Sequence, residues 1–205
     1  WNPKLINEQD LPRTLKALAD PKYKGKVAVA PADSDFLPLV RAMDIKYGKR
    51  ETLDWLRALS RNAQIYSDDE GVTAAVEKGA AAFGDINNYY FYRLREQIGA
   101  KHMASRVQHF TGGVIGGLVN VSGAAVMKYG QHPKLAQRLL AFMVSKRAQT
   151  LLARSDVDFE YPLRPGVPAN PQLRPFDQLQ PPDITVAQLG SDRSALDLLQ
   201  ESGLL

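Results

Sequence analysis

Tyr89 and Tyr90 stand side by side in the run Gly84-Asp85-Ile86-Asn87-Asn88-Tyr89-Tyr90-Phe91-Tyr92-Arg93-Leu94, where an apolar stretch gives way to a helical pattern. A phenol with a pKa of about 10 is a poor ligand for most metals at neutral pH. A hard trivalent cation can displace the phenol proton and hold the phenolate, so two adjacent phenols point to ferric iron. The plainer alternative is that one ring packs in the core while its neighbour faces water. The dipeptide alone does not separate the two.

Two further loops carry groups that could join the tyrosines, Asp33-Ser34-Asp35 and Asp68-Asp69-Glu70. Each follows an apolar run and opens a helical pattern. The backbone N–H groups and positive dipole end at such a place favour an anion. The carboxylates of Asp33, Asp35 and Asp69 instead favour a cation, and all three are also ordinary capping residues. Arg93 and Arg95 follow the tyrosines and could steer anions. His102, His109 and His132 show no metal-ligand spacing, and His109 alone falls in a predicted strand that could reach a cleft. The chain contains no Walker A glycine-lysine motif, no HExxH, no G-x-S-x-G elbow and no G-x-G-x-x-G after a strand, so catalysis has no positive support and no enzymatic role is expected.

The elements that must position these groups follow from periodicity. Residues 26–30 read as a buried strand ending at Pro31. Phe36, Val40, Met43 and Tyr47 then recur at helical spacing, with Asp33, Ser34 or Asp35 as the N-cap and Pro38 in the first turn. A second helix over 51–62 carries Trp55, Leu56 and Leu59 on one face, and 64–67 reads as a short strand. Asp68, Asp69 and Glu70 cap a third helix to about Lys78, with Gly79 as its C′ residue. Residues 80–86 form the next strand, and Asn87 or Asn88 caps the tyrosine helix, which ends near Gly99.

Residues 107–110 and 118–126 are predicted as further strands joined by the glycine-rich stretch 112–117. From Pro133 the pattern is helical, with Leu135, Leu139, Phe142 and Met143 as the expected buried stripe, followed by a helix over 145–153. Residues 161–182 hold seven of the 13 prolines and are expected to wander over the surface or link lobes. A last helix over 192–200 closes at Gly203. Alternating strands and helices predict an α/β fold with a mainly parallel sheet flanked by helices. In such a sheet the three loops share the carboxyl edge, where ligands bind.

Composition narrows the classes. The 205 residues include 44% hydrophobic ones, enough for a sizeable core. Net charge is +4, but 26 basic residues are scattered among 22 acidic ones without a long basic run, which argues against nucleic acid as a partner. There are no cysteines, hence neither disulfides nor thiolate metal sites. No segment reaches the roughly 18 apolar residues of a membrane span. The chain opens on Trp1 with no leader pattern, which reads as a processed or trimmed chain.

The run from Gly84 to Leu94 resembles the periplasmic ferric-iron-binding proteins of ABC importers. The likeness continues in Asn2-Pro3-Lys4-Leu5 with Asp10-Leu11-Pro12, in Ala19-Asp20-Pro21-Lys22-Tyr23-Lys24-Gly25-Lys26-Val27 and in Gly117-Leu118-Val119-Asn120-Val121-Ser122-Gly123-Ala124-Ala125-Val126. Phe159-Glu160-Tyr161-Pro162-Leu163-Arg164-Pro165 and the closing Leu-Leu-Gln-Glu-Ser-Gly-Leu-Leu complete it. The resemblance implies a periplasmic-binding-protein-like fold in which two α/β lobes close on Fe³⁺. It also implies Tyr89 and Tyr90 as ligands on the C-terminal lobe and a synergistic anion that completes the coordination.

Asp33, Ser34, Asp35, Asp69 and Asn87 fall at the anion positions of phosphate-using members. Small neutral residues are usual in that first loop and asparagine at the third site, so the acids here put phosphate in doubt by repulsion. Family members also have a long segment before the point matching Trp1, comprising most of the N-terminal lobe and its ligands, often a histidine and an acid. An incomplete two-lobe architecture is therefore expected. Residues 1–119 would form the C-terminal lobe, 120–169 would return to the N-terminal lobe and 170–205 would pack back on the C-terminal lobe.

The implied partners are an ABC-importer permease and the missing lobe or another chain, with association or swapping through apolar faces of helices 133–153. The implied location is periplasmic or otherwise extracytoplasmic, after removal of a signal peptide or as a lipoprotein. Two alternatives stay open: a binding protein for an organic solute or metal chelate, and the effector-sensing domain of a transcription regulator.

Overall fold

The alternation within residues 27–30 decides the architecture. In the computed structural model, which describes residues 1–205, Val27 and Val29 pack into one buried cluster and Ala28 and Ala30 into another. Successive side chains of a strand point to opposite faces, so β1 (Val27–Val29) is covered on both. It lies at the centre of a three-stranded parallel sheet of order β2-β1-β3, with β2 at Gln64–Ile65 and β3 at Phe83–Gly84. Ala28 pairs with Gln64 on one side and with Gly84 on the other.

Three helices cover the first face: α1 (Leu37–Tyr47), α2 (Lys49–Asn62) and, from the far end of the chain, α8 (Arg193–Ser202). Val40, Met43, Leu56, Leu59, Leu198 and Leu199 meet Val27 and Val29 there and are fully buried. The second face is covered by α3 (Asp69–Lys78) through Val72 and Val76, with α4 (Asn88–Ile98) packed beside it. Gly79 and Gly203 close α3 and α8 in the left-handed conformation that glycine adopts without a Cβ penalty.

At Gly84 the contact between α3 and the sheet is closest. A Cβ there would lie 2.3 Å from Val72 Cγ1 and 3.3 Å from Val76 Cγ2. Gly84→Ala is therefore expected to push α3 off β3 and to cost about 1–3 kcal/mol of stability, the range for overpacking a well-filled core. Urea denaturation reads this as a lower midpoint with an unchanged slope. An unchanged midpoint would mean that the helix does not lie this close.

The chain divides into two compact units, Trp1–Asn120 with Leu179–Leu205, and Val121–Gln178. The second contains α5 (Pro133–Met143) and α6 (Lys146–Ala153), whose N-cap Ser145 accepts from the Ala148 amide at 3.2 Å. The proline-rich stretch is irregular apart from a single 3-10 turn at Phe176–Gln178, and the short helix α7 (Val186–Leu189) precedes α8. No helix is long and apolar enough to cross a membrane.

Three expectations are corrected. Residues 107–110 and 118–126 are not strands: an apolar run becomes a strand only where a neighbouring edge takes up its amides, and neither run joins the sheet. Leu135 and Leu139 on α5 are each 57% exposed, and Phe142 and Met143 are exposed with them. Periodicity identifies an apolar stripe but not what covers it. The N-cap of α1 is Phe36 and no side chain caps it, so Asp33, Ser34 and Asp35 are not consumed as caps of the helix they precede.

Candidate metal centre

Each parallel strand delivers its loop to one edge. β1 leads to the turn at residues 31–36, β2 to residues 66–68 and β3 to residues 85–87, and all three loops open helices. Asp33 turns back on its own loop and across to the next: one carboxylate oxygen accepts the Asp35 amide at 3.2 Å and the other the Asp69 amide at 3.2 Å. Asp69 repeats the pattern one loop further and accepts the Asn87 amide at 3.0 Å. Carboxylates thus tie the starts of α3 and α4 to the β1 loop. Asp68 is the true N-cap of α3, accepting from Gly71 at 2.7 Å.

Asp35 is left for the tyrosines. One of its oxygens accepts the Tyr89 hydroxyl at 2.6 Å and the Tyr90 hydroxyl at 3.3 Å. The two rings lie 4.3 Å apart, tilted by 38°, and both are half-buried. They are held from outside by Arg93, whose guanidinium lies 5.5 Å from each ring centroid while it donates to Glu70 on α3 at 3.0 Å. Neither tyrosine follows the plainer alternative of one core ring and one solvent ring. The residues of α4 that enter the core are Phe91 and Tyr92.

The electrostatics are those of an acid-lined recess. Burial pushes the Asp69 carboxyl up to about 8; the Asn87 amide opposes this, while Asp85, Asp33 and Asp35 add to it. Burial alone raises Asp85 to about 7. Tyr89 is raised by burial and by its bond to Asp35, and Tyr90 is raised further, by burial and by the Tyr89 hydroxyl beside it. Phenols held this way give up their protons only to a strong Lewis acid.

Of the residues that the sequence marks, Asp33, Asp35, Asp69, Asn87, Tyr89 and Tyr90 are brought into one network. Ser34 is not: it is exposed, and its carbonyl accepts from Leu37 at 3.4 Å. Asn87 takes part through its backbone amide, which donates to Asp69, and through a side-chain hydrogen bond with Tyr89, while no side chain caps α4. His102 and His132 are exposed and His109 half-buried. No group of three His, Asp or Glu side chains is arranged to hold a metal. Asp85 carries no sequence signal except its place directly after β3, where its amide donates to Ala28 at 3.2 Å.

The family model of the bacterial extracellular solute-binding proteins matches residues 1–187. The chain belongs to this family. Among solved structures, this solute-binding protein is similar to iron-bound HitA from Pseudomonas aeruginosa, with 41% identity and a TM-score of 0.93 over 99% of this chain and 65% of that one. Among curated relatives, it is 32% identical to the Fe(3+)-binding periplasmic protein of Serratia marcescens, over all of this chain and 60% of that protein. It is 30% identical to the major ferric iron-binding protein of Neisseria meningitidis, over all of this chain and 61% of that one. The solute-binding chain therefore spans about 60% of the length of the curated relatives it matches. Its fold is the periplasmic-binding-protein-like α/β class expected from the sequence.

Proposed function

We propose that this solute-binding chain takes part in capturing ferric iron outside the cytoplasm, with the Tyr89 and Tyr90 phenolates as ligands, and in delivering it to an ABC-importer permease. The observation that carries this reading is the convergence of both phenol oxygens on one carboxylate oxygen at the carboxyl edge of the sheet. It is supported by relatives whose names state ferric-iron binding and by the similarity to iron-bound HitA. The cargo is bound and released without chemical change, so the protein acts as a carrier and not as an enzyme.

Two phenolates do not fill an octahedral ferric shell, and iron held by this chain alone is expected to be weak. The remaining donors would come from a facing lobe, another chain, water or an anion. An anion in that role would lie among Asp33, Ser34, Asp35, Asp69 and Asn87. Domain roles belong to the same proposal, with residues 1–119 and 170–205 serving the C-terminal lobe and 120–169 the other. The separation of Val121–Gln178 as its own unit supports this division. The exposed Leu135, Leu139, Phe142 and Met143 would then be covered by the facing lobe or a second chain.

Titration with ferric nitrilotriacetate is expected to produce a visible phenolate-to-iron charge-transfer band, lost on acidification as protons reclaim the phenols. If no band forms while an organic solute or an intact metal chelate raises the thermal midpoint, the cargo is that molecule instead.

A further inference from the structure

A ferric ion held by two phenolates keeps one uncompensated positive charge, which a free anion from solution could neutralise. The following inference rests on iron being held by Tyr89 and Tyr90. Two observations indicate that the place of that anion is already filled by the chain itself.

The first is geometric. Neighbouring oxygen donors on an octahedral ion with bonds of about 2.0 Å stand about 2.8 Å apart. The Asp35 oxygen lies 2.6 Å from the Tyr89 hydroxyl and 3.3 Å from the Tyr90 hydroxyl, so its distances bracket that edge. A metal replacing the two phenol protons would find the carboxylate oxygen already at ligand spacing from both.

The second concerns the groups that would hold a free anion. Helix starts bind anions through their unpaired N–H groups. Here the Asp69 amide at the start of α3 donates to Asp33, and the Asn87 amide at the start of α4 donates to Asp69. An incoming phosphate would have to displace the Asp33 and Asp69 side-chain oxygens from these amides while approaching the Asp35 carboxylate.

We propose that Asp35 is itself an iron ligand, forming a three-oxygen face with Tyr89 and Tyr90, and that iron binding by this chain needs no exogenous anion. Two phenolates and one carboxylate supply three negative charges against the 3+ ion. Three iron–oxygen bonds form as three waters leave the ion, and the two phenol protons pass to solvent. Asp33 and Asp69 act as positioning residues, holding the β1 loop so that Asp35 faces α4.

The test loads the protein by adding ferrous chloride and then oxygen, in a buffer free of phosphate, carbonate and carboxylic acids. The wild-type protein is expected to develop its visible band under these conditions, and addition of phosphate or bicarbonate should leave the band maximum in place. Asp35→Asn is expected to lose about tenfold or more in apparent iron affinity without an anion, by comparison with the 10–100-fold cost of losing an outer-shell partner. Added phosphate, coordinating the iron at the position Asp35 vacates without needing the helix-start amides, should restore part of its binding with a shifted maximum.

Asp35→Ser serves as a second variant, and circular dichroism establishes that both are folded. A role for Asp35 confined to orienting the phenols would lower affinity without making the variant respond to phosphate. The proposal is overturned if wild-type binding requires the anion, if its band maximum follows the anion, or if Asp35→Asn loads normally without one. Absence of any band in the wild type under all conditions would instead overturn iron binding by the tyrosines.

Discussion

Replacing both Tyr89 and Tyr90 with phenylalanine is expected to erase the visible ferric band and to weaken iron binding by about 100-fold or more, beyond the 10–100-fold typical of losing an outer-shell partner. The band arises from charge transfer out of a phenolate, so it cannot survive loss of both. The single variants should differ from the double. Each keeps one phenolate beside Asp35 and should retain a weaker band with a shifted maximum. Phenylalanine preserves the rings over which Arg93 lies, and the half-buried Asp35 can exchange its hydroxyl partners for water, so thermal stability should change little. An unchanged band in a folded double variant would place the iron elsewhere.

The second large effect concerns pH and Asp69. Its folded-state carboxyl is raised from the ordinary 3.8 to about 8. Below the ordinary value both folded and unfolded chains are protonated there, and the stability linked to this group is fully present. Between the two values the folded chain holds a proton that the unfolded chain has released, so stability falls as pH rises. The steepest slope for one such proton is about 1.4 kcal/mol per pH unit. Above about 8 the loss is complete.

Asp69→Asn removes the titration while its side-chain carbonyl can still accept the Asn87 amide. The stability of the variant relative to wild type should therefore climb with pH, by a few kcal/mol between about pH 4 and pH 8. Chemical denaturation of both proteins across that range measures the difference, in which titrations common to both cancel. A difference that stays flat with pH would mean that Asp69 is ionised in the folded protein.

The two effects share one cause. Three strand ends meet at one edge, and the carboxylates that meet there leave the recess both acidic and short of water. Asp33 and Asp69 spend their oxygens on backbone amides, which positions the loops. Asp35 spends one oxygen on the two phenols, which positions their hydroxyls side by side. The arrangement of the acids rests on hydrogen bonds between loops that are remote in the chain.

Much of the framework was legible beforehand because it rests on local chemistry. Residues 27–30 alternate valine and alanine without polar interruption, Gly79 and Gly203 end helices, and Asp68 caps one. These signals depend on neighbours within a few residues. The failures all depend on remote partners. The run 118–126 is apolar enough for a strand but has no edge to pair with. The stripe on α5 has the right spacing, yet its burial depends on what faces it.

Asp33 and Asp35 show the same limit at the site. From local sequence they are caps for α1, because a carboxylate before a helix ordinarily binds the nearest free amides. In the folded protein the nearest free amide to one Asp33 oxygen is that of Asp69, and the nearest donors to Asp35 are hydroxyls 54 and 55 residues away. The sequence by itself determined the α/β class, the order of the sheet strands and their covering helices up to residue 98, and the phenol pair as the unusual chemical group. Only the tertiary structure decided that Asp35 faces both phenols and that Asp33 and Asp69 occupy the helix-start amides, because hydrogen bonds across a parallel sheet edge join residues whose separation along the chain carries no local signal.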